Sequence, residues 1–64
     1  MSDVWTPEAY IKIISTDEEL LGEALYKIRT GNERRFQVGE ALRYAGKIQD
    51  NLKLLHQALN RATP

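Results

Sequence analysis

The sequence predicts a small α+β fold: two antiparallel helices closed at one end by a single β-hairpin, with a short extra helix at the N-terminus. Three observations lead there. In residues 34–45, RRFQVGEALRYA, Phe36 and Val38 fall on one face of an extended strand and Leu42 and Tyr44 on one face of the next, with Arg35, Gln37 and Arg43 opposite. Gly39 and Gly46 fall at the turn and at the exit of the second strand, where glycine is useful, whereas inside a helix each costs about 1 kcal/mol relative to Ala. On either side of this stretch the apolar residues recur at helical spacing, Leu21, Ala24, Leu25 and Ile28 before it and Ile48, Leu52, Leu55 and Leu59 after it. Pairing Val38 with Leu42 and Phe36 with Tyr44 needs an odd connection, most simply the three residues Gly39-Glu40-Ala41. A competing pattern runs through the same residues. Val38, Ala41, Ala45, Ile48, Leu52, Leu55 and Leu59 also fit a heptad seam, which makes a single helix from about Glu33 to Arg61 and turns the chain into an all-α helical hairpin.

The elements follow in order. Thr6-Pro7-Glu8 is a helix start, with Thr6 as cap and Pro7 in the first turn, where its missing N–H is not needed. Thr16 and Glu19 have the spacing of a capping box before Leu20-Leu21, so a second start is expected there. Helices are placed at about Pro7 to Ile14 and Asp17 to Thr30, with fusion into one bent helix as the alternative. Thr30-Gly31-Asn32 ends the stripe. After the hairpin, a last helix runs from Lys47 or Asp50 to Asn60, and Arg61 to Pro64 is expected to fray. Residues 1–64 form one domain: an N-terminal extension (1–16), a helix-hairpin-helix unit (17–60) and the tail (61–64). The expected core is Leu21, Leu25, Ile28, Phe36, Val38, Leu42, Tyr44, Ile48, Leu52, Leu55 and Leu59.

Composition narrows the function classes. A chain of 64 residues buries only about 60% of its unfolded surface, so a lone core is marginal and a partner or self-assembly is expected to contribute. There is no cysteine, hence no disulfide staple or cysteine zinc site. His56 stands in a helical stretch without a second ligand for a metal. No catalytic residues, metal or cofactor are expected: Asp17, Glu18 and Glu19 open a helix without a neighbouring His, Lys or Tyr in a pocket, and Gly31, Gly39 and Gly46 lack a phosphate-cradling spacing. No apolar run reaches the ~18 residues of a membrane span, and Met1 to Trp5 does not resemble a signal peptide, so no membrane association and a cytoplasmic location are expected.

Charge is zero overall and strongly segregated. Residues 1–26 balance at −5 and residues 27–64 at +5, a dipole that suits head-to-tail contact between copies. Acids at helix starts and bases at helix ends account for Glu18, Glu19, Lys27 and Arg29 without any partner.

The order of parts, a helix ending in Ala24 to Gly31, a basic hairpin from Arg34 to Tyr44 and a helix with Ile48, Leu52, Leu55, Leu59 spacing, resembles the gpW-type head-tail joining proteins of tailed bacteriophages. The resemblance covers about Asp17 to Asn60. It implies a non-enzymatic structural protein of the virion neck, made in the host cytoplasm. Such a protein forms a ring, commonly of twelve copies, that binds the portal protein and offers a surface to the next connector or tail protein. Two departures matter: the family type has a C-terminal tail used in assembly that is not seen after Asn60, and here an N-terminal extension is present instead. Under this reading Trp5, Tyr10 and Ile11 dock on a neighbour. Arg34, Arg35, Arg43 and Lys47 face either an acidic portal surface or channel DNA, in the latter case through phosphates and without reading sequence. The rival function is a small all-helical adaptor, co-chaperone or regulatory protein that pairs the seam from Val38 to Leu59 with a partner helix or a second copy.

Overall fold

A Thr-Pro pair opens the first helix. In the computed structural model, which describes residues 6–62, Thr6 is the cap of α1 (Pro7–Thr30), and its Oγ1 accepts a hydrogen bond from the Ala9 N–H at 3.3 Å. The capping box expected at Thr16 is not used. Nothing between Ile14 and Asp17 forbids helix, so the backbone ladder continues through, and the Thr16 hydroxyl donates to the Lys12 carbonyl at 3.1 Å. The two short helices expected here are therefore one. Trp5 lies outside the described residues.

The end of α1 follows the Thr-Gly signal. Gly31 adopts φ 85, the Gly31 N–H donates to the Ile28 carbonyl at 3.2 Å, and the Asn32 N–H donates to the Lys27 carbonyl at 2.8 Å. These are the paired bonds of a Schellman ending, which require the left-handed conformation that glycine adopts freely. Gly31→Ala is expected to cost about 1 kcal/mol, read as a lower melting temperature at matched protein concentration. Glu33 is also left-handed, at φ 48, so the three-residue connection reverses the chain through two unusual backbone positions.

From Arg34 the chain is helical without interruption to Ala62 (α2), and the described residues contain no strand. The expected β-hairpin of residues 34–45 is absent, and with it the α+β class: the protein is the all-α helical hairpin. The helix expected from Lys47 or Asp50 is the second half of α2, and Arg61 is helical rather than frayed. The physical reason is that a two-stranded hairpin has no ladder beyond its own pair and is marginal in water. A helix instead satisfies every interior amide and offers α1 a long seam. Two glycines in that helix, at about 1 kcal/mol each, do not outweigh this.

The seam itself is a heptad pattern. On α1 the seam runs through Tyr10, Ile14, Asp17, Leu21, Ala24 and Ile28, and on α2 through Gln37, Ala41, Tyr44, Ile48, Asn51, Leu55 and Ala58, all buried or half-buried; Pro7, Ala9, Ile13, Glu40 and Gly46 are half-buried beside it. Both sets alternate steps of four and three, the spacing of knobs-into-holes packing. Its apolar centre is thin. Among the described residues Ala24, Ala41 and Ala58 are the buried apolar ones, and no large side chain is fully enclosed.

This seam corrects the expected core. Leu21 and Ile28 on α1 and Tyr44, Ile48 and Leu55 on α2 do line the seam and are half-buried, but Leu25, Phe36, Val38, Leu42, Leu52 and Leu59 are exposed, Leu42 to 70% and Phe36 to 59%. Relative to the heptad read from sequence, α2 keeps Ala41, Ile48 and Leu55 but replaces Val38, Ala45, Leu52 and Leu59 by the residues immediately before them. Moving only the alternate seam positions by one residue turns the helix by about 50°, half of the ~100° of a full one-residue shift. The more apolar stripe is turned out, and Gln37 and Asn51 are turned in.

Candidate functional site

The pair of helices has two broad sides, and the residues next to the seam define them. Leu20, Lys27 and Glu40 each precede a seam residue by one position. Together with Glu23, Ala24, Phe36, Gln37 and Tyr44 they line an open groove of about 160 Å³. That is below the ~300–1,000 Å³ of a small-molecule pocket. Ile11, Leu25, Val38, Leu42 and Leu52 each follow a seam residue by one position, so in an antiparallel pair they share the opposite broad side. All five are exposed. This side presents a strip of large aliphatic side chains with Glu18 between Ile11 and Leu25. Scattered exposed aliphatics are ordinary, whereas contiguous apolar patches are the surfaces that proteins commonly use for contact with one another.

Helical geometry disperses the basic residues that a strand pair gathers. Arg34 belongs to the loop end: its Nε donates to the Ile28 carbonyl at 2.8 Å, closing the last turn of α1. Arg43 donates to Glu40 through Nη2 at 2.7 Å and lies 5.2 Å from the Tyr44 ring centroid. The hydrogen bond to Glu40, then its charge, pushes the guanidinium pKa up. Lys47 is exposed one turn further on, and Arg35 projects roughly 100° round the helix from this pair. The four do not form one surface. Of the expected docking residues, Tyr10 is half-buried in the seam and Ile11 is exposed on the apolar side.

Asp17 carries a role the sequence reading missed. Taken there as a helix-start acid, it is a seam residue only 5% exposed, and its Oδ2 has no hydrogen-bond partner. The signal was available: Asp17 stands seven residues from both Tyr10 and Ala24, on the same line. His56 is exposed and shares a 3.2 Å hydrogen bond with Asn60. Among the described residues no cluster of His, Cys, Asp or Glu is arranged to hold a metal, and no helix is long and apolar enough to cross a membrane. No family model, curated protein or solved structure gives a significant match to this chain.

Proposed function

We propose that the protein is a small non-catalytic interaction module, an adaptor or regulatory subunit of the helical-hairpin kind, that works by laying its apolar broad side against another helical surface. One observation carries the reading: α2 packs its more polar stripe on α1 and leaves Val38, Leu42 and Leu52 outside. Exposing aliphatic side chains forgoes roughly 25 cal/mol for each Å² left in water, and the seam takes up Gln37 and Asn51 in place of Val38 and Leu52. An arrangement that is poor for the isolated hairpin becomes favourable once the outer stripe is covered. Helix-in-groove and bundle interfaces are built from such stripes.

The connector reading drew its support from a strand pair between two helices. An unbroken α2 withdraws that support, and the dispersed Arg34, Arg35, Arg43 and Lys47 do not supply a replacement. A photo-reactive phenylalanine analogue at position 42 is expected to form covalent adducts with a polypeptide in the native host; the same probe at position 54, which precedes the seam residue Leu55 by one and so lies on the groove side, is not. A folded chain that yields no adduct from position 42 removes the interaction-module reading.

A further inference from the structure

We infer that the surface covering this face is a second copy of the chain, two hairpins stacking through their apolar sides into a four-helix bundle. The inference rests on the interaction-module reading and supplies that module's partner.

Size and area come first. The radius of gyration is 14.7 Å, against about 10.7 Å for a compact domain of this length. The surface is 5109 Å², against roughly 4,200 Å² for a compact monomer of 7.3 kDa. The excess of about 900 Å² is close to the ~800 Å² that each partner buries in a standard stable interface. A hairpin 48 Å long and 19 Å wide has a broad side large enough to supply it. Stacking also creates what the single hairpin lacks. Ile14, Leu21, Ile28, Ile48 and Leu55 are half-buried along the edge of the apolar side, and a second copy closes over them to form a core of large side chains in place of three alanines.

Charge selects this partner over an unrelated helix. Within its bounds α1 carries five acids and three bases, a balance of −2, and α2 carries six bases and two acids, a balance of +4. The chain thus holds its own complement. Two copies related by a two-fold axis along the bundle set each α1 against the α2 of the other, opposing unlike charges across both rims. The alternative axis, across the bundle, sets α2 on α2 and like on like. The favoured arrangement places both loops at the same end.

Sedimentation equilibrium of the full chain at micromolar concentration is expected to give twice the 7.3 kDa chain mass. Leu42→Asp and Leu52→Asp are each expected to weaken pairing on the order of 100-fold or more. Leu54→Asp, on the groove side, leaves the mass unchanged. Spin labels at Asn32→Cys are expected within about 30 Å of each other, since opposed loops stand a helix length, more than ~35 Å, apart. A wild-type chain that is monomeric, fully helical and cooperative in melting overturns the inference, whether or not the Asp variants fold. If that monomer still forms adducts with a different protein from position 42, self-pairing fails and the interaction-module reading stands. Dissociation by Leu54→Asp but not by Leu42→Asp overturns the choice of face, and a long label distance overturns the pairing of α1 on α2.

Discussion

Replacing Asp17 with Leu is expected to stabilise the protein by about 2 kcal/mol. Asp17 stands at a heptad position in the α1 stripe, 5% exposed, with Oδ2 unpartnered. A buried polar atom without a hydrogen bond forfeits about 1–3 kcal/mol of hydration, and an aliphatic side chain at the same place adds burial of the same order. For a domain this small the change corresponds to a rise in melting temperature of roughly 8–16 °C. Urea or thermal unfolding followed by circular dichroism, at equal chain concentration, measures it. A loss of stability instead would mean that the carboxylate meets a donor outside the hairpin. A polar residue in an otherwise apolar seam commonly fixes register or partner at a cost in stability. The stabilised variant is accordingly expected to associate with less definite geometry, seen as a broadened spin-label distance distribution.

The double substitution Gly39→Ala and Gly46→Ala is expected to add about 2 kcal/mol. Both glycines lie within α2, and a Cβ built on either meets nothing within 4 Å. Neither has a positive φ, so alanine enters without strain. The gain is conformational: glycine inside a helix costs about 1 kcal/mol relative to alanine because the unfolded chain loses more freedom. The same measurement distinguishes this from the strand reading, in which Gly39 sits in a turn and alanine is neutral or harmful there. Unfolding curves for the two single variants are expected to sum to the double, since Gly39 and Gly46 are two turns apart and share no partner.

The failure of the strand reading has a definite source. Phe36, Val38, Leu42 and Tyr44 alternate over too few residues to exclude a helical period, and Val38 and Leu42 are as well spaced for adjacent turns of a helix as for facing strands. The glycines weighted the choice toward a turn. Their cost is small beside that of a two-stranded sheet with nothing to extend it, and a local preference of about 1 kcal/mol yields to a seam that runs the length of both helices. The candidate site was half legible. The aliphatic residues were visible and were assigned to the core, because a stripe of that spacing ordinarily faces the neighbouring helix. Their exposure could not be read from spacing alone.

What the residues alone determined are the start of α1 and the sharpness of its end, though not its continuity through Ile14 to Asp17. Thr6-Pro7 and Thr30-Gly31-Asn32 act within a few bonds of themselves, through a side-chain cap, a fixed φ and a left-handed glycine, and such local chemistry does not depend on what packs nearby. The separation of acidic from basic halves is equally a property of the chain. What only the tertiary structure decided is which stripe of α2 turns toward α1. The two candidate stripes share Ala41, Ile48 and Leu55 and differ by one residue at the alternate positions, a turn of about 50°; both satisfy every backbone hydrogen bond, and the choice depends on the shape and polarity that α1 presents across the seam. That rotation separates a helix that buries its aliphatic side chains within its own hairpin from one that leaves Val38, Leu42 and Leu52 exposed.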